Sequence, residues 1–247
     1  MSAAGARPRV LFLCSGAGGG DMGLHMAGFD VTGSDIEDHP SYPFEMIVED
    51  ALTIDLGGYD AYAASPPCQG YSRMRHRQDA SKWPLLLGPI RERLVATGKP
   101  FFMENVEDAA WDMKDPIRLC GSAFGLRIRR HRLIETSFPV FGVPECAHAW
   151  QDSHKPYRLY VGKSRTNGLG YRESGIQQVY GGNHNVGGRS HFYKSVAMGI
   201  DWMSEEDLNE AIPPAYTRFI GQHLMHAVRR QQGAEDNWGP GDRGWTG

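Results

Sequence analysis

The stretch VLFLCSGAGGGDMGLHMAGFDVTGSD, residues 10–35, determines the fold. Its apolar run 10–14 predicts a strand, and the glycine-rich turn after it leads into a helix predicted over 21–27. A second strand, predicted over 31–35, ends at Asp35. This succession begins an α/β sheet. The glycines of the turn let a ligand approach the backbone N–H groups at the start of the helix.

The rest of the chain continues the alternation of strands and helices. Apolar runs predict strands over 59–64, 101–103 and 132–135, and apolar residues at helical spacing predict a helix over 83–97. This pattern predicts a largely parallel sheet with helices on both faces. Such a sheet binds ligands at the carboxyl ends of its strands. Four chemically useful residues fall at those ends: Gly16, Asp35, Cys68 and Glu104.

Length and cysteine content limit the class of protein. The chain has 247 residues, 40% of them hydrophobic, which is enough for one core with a small appendage. It has no apolar run long enough to span a bilayer and no signal peptide after Met1. The four cysteines form neither a disulfide framework nor a paired-cysteine zinc pattern, so we expect reduced thiols and no metal. Cys146 and His148 would supply only two of the four ligands of a closed zinc site.

Charge is distributed unevenly behind a net charge of −3. Residues 10–60 contain ten acids and no lysine or arginine, whereas residues 61–232 contain 23 lysines and arginines against 16 acids. The acidic part suits a neutral or cationic cofactor, and the basic part suits a polyanion such as nucleic acid. Chance clustering of solvated charge is the alternative explanation.

Two short motifs indicate the chemistry. Pro66-Pro67-Cys68-Gln69 ends one apolar run, and Glu104-Asn105-Val106 ends the next strand. A thiolate that adds to C6 of a pyrimidine, while an acid protonates N3, turns C5 into a carbon nucleophile. Cys68 and Glu104 are therefore the predicted nucleophile and acid. A buried structural thiol and a surface carboxylate are the alternatives.

In order along the chain, these motifs resemble those of the DNA (cytosine-5) methyltransferases, of the compact type found in bacteria and their phages. The resemblance runs from Val10 to about Leu224 and implies S-adenosylmethionine as the methyl donor. Asp35 would accept both ribose hydroxyls, Ile36 would lie against the adenine, and Asp50 would accept from the adenine amino group. The complete implied cofactor site comprises Ser15, Gly16, Ala17, Gly18, Gly19, Asp35, Ile36, Asp50, Ala51, Pro67, Glu210 and Ala211.

The resemblance also implies how the substrate is held. Arg130 and Arg132 would hold the cytosine O2 and steady Glu104 and Cys68. A base within duplex DNA cannot present C6 to a thiolate, so the target cytosine would be flipped out. The expected partner is double-stranded DNA, bound by a monomer in the cytoplasm of a prokaryotic or phage-infected cell. Its implied contacts are Gln69, Ser72, Arg165, Arg172 and Arg189.

The implied organisation has four parts. Residues 1–137 form the catalytic core, and residues 138–194, where periodicity fades, form a small irregular or β-containing target-recognition insert. Residues 195–231 return to the core through a helix that starts at Pro213-Pro214 and has one apolar face. Residues 232–247 are rich in glycine and aspartate and are predicted to be disordered.

Four positions depart from the family pattern. Phe12 stands where an aspartate is usual, Cys14 where a phenylalanine is usual, and Ile128 where a glutamine is usual. Glu210 replaces the asparagine of the last motif. A different cofactor, a nicotinamide dinucleotide, is the alternative for the glycine loop, although the spacing does not form the full fingerprint.

Other substrates and roles also stay open. The same chemistry could act on tRNA or on a free pyrimidine nucleotide, and the chain could instead be a catalytically silent DNA-binding relative. Three biological roles are compatible with the sequence: partnership with a restriction enzyme, evasion of host defence by a virus, and preparation of cytosines for a later modification.

Overall fold

The computed structural model describes residues 6–71, 83–153, 160–163, 171–173 and 190–233. The strands are β1 (Arg9–Leu13), β2 (Asp30–Asp35), β3 (Glu45–Val48), β4 (Ala61–Ala64), β5 (Phe101–Asn105), β6 (Ile117–Cys120), β7 (His131–Thr136), β8 (Tyr160–Lys163) and β9 (Tyr171–Glu173). The helices are α1 (Gly19–Met26), α2 (Leu87–Ala96), α3 (His148–Ser153), α4 (Ser190–Met198), α5 (Glu205–Glu210) and α6 (Pro214–Gln231).

Seven strands form one mixed sheet in the order β3-β2-β1-β4-β5-β7-β6. The first five strands in this order run parallel to one another, as the alternation of strands and helices predicts. Strand β7 runs antiparallel to β5, with Asn105 opposite Leu133 and Glu104 opposite Ile134. The reversal has a direct consequence for the site. It brings the first residues of β7 to the carboxyl end of β5.

Helices cover both faces of this sheet, which confirms the predicted fold class. Along β1, Val10 and Phe12 enter the core shared with α1 and α6, whereas Leu11 and Leu13 enter the core shared with α2. All four side chains are almost completely buried. Period-2 alternation with apolar residues on both sides is the pattern of a central strand buried on both faces.

The predicted elements differ from the structure mainly at their ends. Helix α2 begins at Leu87 rather than at residue 83. Pro84 disfavours a helical conformation for the residue before it, and residues 83–86 are not helical. Strands β3 and β6 are not predicted from the sequence. Within the expected insert, β8 and β9 form a separate two-stranded antiparallel sheet. Most of the expected disordered tail, residues 234–247, lies outside the described residues.

Helix α6 returns to the core and packs against α1. It begins with Pro214 in its first turn and buries its predicted apolar face, comprising Tyr216, Phe219, Ile220, Leu224 and Val228. The helices approach closely at Gly23, where an added Cβ would lie 2.2 Å from the Pro214 carbonyl oxygen and 2.6 Å from the Arg218 nitrogen. Among the described helices, none is both long and apolar enough to cross a membrane.

We expect Gly23→Ala to lower the free energy of unfolding by about 1–3 kcal/mol, because the added methyl group forces α1 and α6 apart. Gly88→Ala in α2 is the matched control, since its Cβ would meet no atom within 4 Å. Helix propensity favours that change and the following Pro89 opposes it, so its effect should stay below about 1 kcal/mol. Urea unfolding of both variants tests the difference, and equal stabilities would contradict the close packing of α1 on α6.

Candidate active site

The predicted nucleophile lies in a turn that follows β4. The backbone N–H of Ser65 donates to the Leu13 carbonyl at 3.0 Å, and the Asn105 side-chain amide donates to the Pro66 carbonyl at 2.9 Å. Beyond Cys68, the Tyr71 N–H closes the turn on the Cys68 carbonyl at 3.0 Å. These bonds tie the turn to two neighbouring strands. They fix the half-buried Cys68 at the carboxyl edge of the sheet.

Glu104 is the penultimate residue of β5, at the same edge, and is 3% exposed. The Ser65 hydroxyl donates to its Oε2 at 2.7 Å, and Arg132 Nε forms an ion pair with its Oε1 at 2.7 Å. The ion pair does not have hydrogen-bond geometry, and Oε1 accepts no hydrogen bond from the described residues. The carboxylate is therefore oriented through one oxygen, while the other keeps hydrogen-bonding capacity beside a guanidinium group.

Burial raises the pKa of the Cys68 thiol above its ordinary value. The charge of Arg132 lowers this pKa, Glu104 and Glu210 raise it, and Arg130 lowers it. Each arginine therefore lowers the thiol pKa, but the net result is a raised pKa. Loss of hydration outweighs two cations because the thiolate is the charged form. Burial thus disfavours the thiolate of Cys68 in the free protein.

This raised pKa predicts the alkylation rate of Cys68. Iodoacetamide reacts with the thiolate, so the rate at Cys68 should keep rising about tenfold per pH unit up to at least pH 9. Peptide mass spectrometry at each pH measures this rate, and the same peptide in urea-unfolded protein should level off near the ordinary thiol pKa of about 8.5. A plateau near neutral pH in the folded protein would contradict the dominance of burial.

The two arginines differ in their surroundings. Arg132 is partly exposed and faces Glu104, whereas Arg130 is buried and donates to the Asn209 carbonyl at 2.8 Å. The hydroxyl of Tyr216 donates to the Arg130 carbonyl. Arg130 thus connects the chain before β7 with the end of α5. Contact with a cytosine O2 stays a prediction for both arginines.

The glycine loop forms the second half of the site. The Gly16 N–H donates to Asp35 Oδ2 at 2.9 Å, and a Cβ at Gly16 would meet no atom within 4 Å. Ile36 directly follows the last residue of β2 and is 67% exposed. It places a large apolar side chain at the surface beside these polar groups. An acid, an open backbone and an exposed apolar surface lie together here. This set fits a ribose, a polar chain and an adenine ring, so the residues present fit S-adenosylmethionine.

Cys14 lies between the acids of this half. Burial and then the charges of Asp35 and Asp50 raise the pKa of Cys14 to about 12. Both acids are therefore close enough to act on one thiol. Asp50 itself accepts the Leu52 N–H at 2.8 Å, while Ala51 is 5% exposed and packs in the core. Contact between Ala51 and the cofactor stays a prediction.

The last motif packs directly on the glycine loop. A Cβ at Gly19 would lie 2.5 Å from the Ile212 carbonyl oxygen and 3.3 Å from the Ala211 Cβ. The indole of Trp202 donates to the Ala17 carbonyl at 3.1 Å. Ala211 is therefore beside the loop, as expected, and Glu210 is exposed next to it.

A buried acid, Asp21, holds the glycine loop through hydrogen bonds. Asp21 is 0% exposed, and its Oδ1 accepts from the Tyr42 hydroxyl at 2.7 Å and the Ser15 hydroxyl at 3.1 Å. Burial raises the pKa of Asp21 to about 7, although both hydrogen bonds lower it. The Ser15 side chain, predicted to contact the cofactor, also donates to the Phe12 carbonyl at 2.9 Å. Its hydroxyl thus holds the loop in place.

Comparison with known proteins gives a family match for part of the chain. Residues 9–113, which include the glycine loop, Cys68 and Glu104, match the sequence model of the C-5 cytosine-specific DNA methylases. This part of the chain is similar to those enzymes, whose methyl donor is S-adenosyl-L-methionine. The match supports an enzyme. Comparison with curated proteins gives no match.

Solved structures of methyltransferases share this fold. A protein assigned as a DNA modification methyltransferase, encoded within an E. coli prophage, matches with 16% identity and a TM-score of 0.57 over 90% of this chain and 99% of its own. The S. pombe Dnmt2 methyltransferase matches with 14% identity and a TM-score of 0.53 over 91% and 99% of the two chains. The Entamoeba histolytica methyltransferase EhMeth matches with 14% identity and a TM-score of 0.52 over 92% and 99%.

The predicted DNA contacts fall mostly outside the described residues. Ser72, Arg165 and Arg189 lie there, and Arg172 belongs to β9, whose side chains are not described. Gln69 is half-buried, and its Oε1 is buried without a hydrogen-bond partner among the described residues. Pro67, a predicted cofactor contact, is half-buried beside Cys68. The roles of all six residues stay predictions.

Several positions that shape the candidate site are not evident from the sequence. Ser65 orients Glu104, Tyr42 and Asp21 brace the glycine loop, and Trp202 ties that loop to the C-terminal part. The position of Ser65, directly before the two prolines of the nucleophile turn, is the one signal that points to its role. The other three depend on contacts between distant segments.

Proposed function

We propose that the chain is a DNA (cytosine-5) methyltransferase that transfers the methyl group of S-adenosylmethionine to C5 of a cytosine flipped out of duplex DNA. The observation that supports this most strongly is the grouping of Cys68, Glu104 and Arg132 at the sheet edge that also holds the glycine loop. A nucleophile, an acid and a cation at one strand end suit addition to a pyrimidine ring.

In the proposed reaction, the Cys68 thiol gives its proton to the Glu104 carboxylate, directly or through water. The thiolate then forms a bond to C6, and the π electrons of the C5–C6 bond shift as Glu104 transfers the proton to N3. Carbon C5 then attacks the sulfonium methyl group, which leaves S-adenosylhomocysteine. A base, with water the simplest candidate, removes the C5 proton. Elimination of the thiolate from C6 restores the double bond, and N3 returns its proton to Glu104. Every bond formed to the protein is broken again.

The surroundings of Glu104 suit this role. Ser65 holds Oε2, and the adjacent Oε1 is buried without accepting a hydrogen bond from the described residues. Arg132, which pairs with Oε1 in the free protein, is also close enough to Cys68 to lower the thiol pKa. A cytosine that enters would bring its O2 to this guanidinium and its N3 to Glu104. The charge of Arg132 would favour the Cys68 thiolate that adds to C6.

The cofactor supplies an electrophilic methyl group when bound. The Gly16 turn leaves open space beside the backbone for its amino acid part, Asp35 offers a carboxylate for the ribose, and Ile36 offers an apolar surface for the adenine. Phosphate contacts from the basic insert, residues 138–194, would position the duplex, and side chains there would read its bases. The proposed division into core, insert and returning segment follows from these roles.

The test compares methyl transfer to duplex DNA, tRNA and dCMP with radiolabelled S-adenosylmethionine. Duplex DNA should accept label, and bisulfite sequencing should locate it at cytosines within a short recurring sequence. Duplexes that carry 5-fluorocytosine should remain covalently bound to Cys68, because the fluorine at C5 cannot leave as a proton does. Transfer to tRNA or dCMP alone would contradict the DNA substrate, and transfer without trapping would contradict the covalent step.

A further inference from the structure

Four metal-ligating side chains meet beside the active site, at the start of β7. The group comprises Cys120, His131, Cys146 and His148, and one ligand atom of each lies within 4.8 Å of every other. The four residues are far apart in the sequence, so the group is not evident from it. The pairing of β6 with β7 and the segment at the start of α3 bring the side chains together. Sequence alone supplies only Cys146 and His148 as a pair.

We propose that these four residues, here named the Cys2His2 cluster, bind one structural zinc ion. Zinc prefers four-coordinate tetrahedral sites built from thiolates and imidazoles. With bonds of about 2.3 Å to sulfur and 2.0 Å to nitrogen, the edges of such a tetrahedron measure roughly 3.3–3.8 Å. Cys146 Sγ lies 3.6 Å from His131 Nε2, and Cys120 Sγ lies 3.2 Å from His148 Nε2. These separations need only small shifts to accept the ion.

The donor set selects the metal and balances its charge. Two thiolates and two neutral imidazoles neutralise a divalent cation, which matters because Cys120 is 1% exposed. Thiolates disfavour magnesium and calcium, which take oxygen ligands.

Outer contacts hold the ligands in the required orientation. His131 Nε2 faces the cluster, while its Nδ1 lies 3.1 Å from Glu107 Oε2. A carboxylate on the far nitrogen of a zinc-bound histidine is a recurrent arrangement that fixes the ring and its tautomer. On the other side, the Ser122 hydroxyl accepts the Ala147 N–H at 3.0 Å and lies 3.1 Å from Cys120 Sγ. Its own hydrogen can be donated to a thiolate there.

The position of the cluster indicates that the ion would connect two segments of the protein. His131 lies between Arg130 and Arg132 in sequence, and alternation along the strand directs it away from Arg132, which faces Glu104. Cys146 and His148 lie in the first part of the proposed recognition insert, residues 138–194. One zinc ion would therefore connect the insert to the end of the strand that carries Arg132.

Metal analysis of the whole purified protein tests the proposal. Elemental mass spectrometry should find about one zinc per chain, and cobalt-exchanged protein should show the intense visible bands of a tetrahedral thiolate site. Cys146→Ser, at the exposed corner of the cluster, should lose at least tenfold in zinc content and lack the cobalt bands. Cys14→Ser is the matched control, because this thiol lies outside the cluster, and it should keep its zinc.

A second variant tests the outer contact. Glu107→Gln should weaken zinc binding by about 10–100-fold in competition with a chelator while it retains the cobalt spectrum. Wild-type protein that contains no zinc and shows no cobalt bands would overturn the proposal. So would an intact mass two hydrogens below the reduced value with no metal bound, since Cys120 and Cys146 would then form a disulfide. Equal loss of zinc in Cys14→Ser and Cys146→Ser would also overturn it.

Discussion

We expect Cys68→Ala to lower kcat/KM for methyl transfer to duplex DNA by at least about 10³-fold. Carbon C5 of cytosine is a poor nucleophile until a thiolate adds to C6, so no other group in the described site replaces Cys68. Trapping on 5-fluorocytosine duplexes should disappear as well. The measurement is label transfer from S-adenosylmethionine at DNA concentrations well below KM, together with the covalent complex on denaturing gels.

The variant should otherwise resemble the wild type. Cys68 is half-buried and its turn is held by backbone bonds to Leu13 and Tyr71 and by the Asn105 side chain, so the thiol itself holds none of these contacts. Affinity for S-adenosylmethionine should change by less than a few-fold, because that cofactor is expected on the glycine loop. Retention of a tenth of wild-type activity by Cys68→Ala would exclude the covalent mechanism.

The sheet could be predicted where its strands are buried on both faces. β1, β4 and β5 are runs of apolar residues that the sequence displays directly. The missed strands are different, since β3 is half-buried to exposed throughout and β6 begins half-buried and exposed before it enters the core. Edge strands of this kind carry no continuous apolar run. The antiparallel direction of β7 depends on the preceding hairpin and has no local signature.

The candidate site divides in the same way. Cys68 and Glu104 follow strands within distinctive motifs, and their proximity follows from the parallel order of β4 and β5. The net effect on the thiol pKa could not be predicted, because it depends on how far burial exceeds the charge of Arg132. The Cys2His2 cluster was missed for a related reason. Its members come from three segments, and only the fold sets the distances between them.

We expect Glu104→Gln to lower kcat/KM by about 10²–10⁴-fold, because the amide cannot give a proton to N3. The substitution preserves the shape of the side chain and an acceptor for the Ser65 hydroxyl. It also removes the negative charge that raises the Cys68 pKa. Cys68 should therefore react faster with iodoacetamide at neutral pH in this variant, even as methyl transfer falls.

A second buried pair supplies the control for lost stability. Glu135 accepts from Arg91 Nε at 2.6 Å and Arg91 Nη2 at 2.9 Å, and both side chains are at most 8% exposed. Glu135→Gln should lower the free energy of unfolding by up to about 3–5 kcal/mol, as expected when one partner of a buried pair is removed.

Methyl transfer per folded Glu135→Gln molecule should nevertheless stay within a few-fold of wild type, because this pair does not contact Cys68. Glu104→Gln should show the reverse, with thiol reactivity raised and methyl transfer lost. These opposite changes separate the proton donor from the nucleophile, since loss of the nucleophile in Cys68→Ala removes both thiol reactivity and methyl transfer. If Glu104→Gln methylated DNA within tenfold of wild type, the protonation of N3 by Glu104 would be wrong, even if trapping at Cys68 persisted.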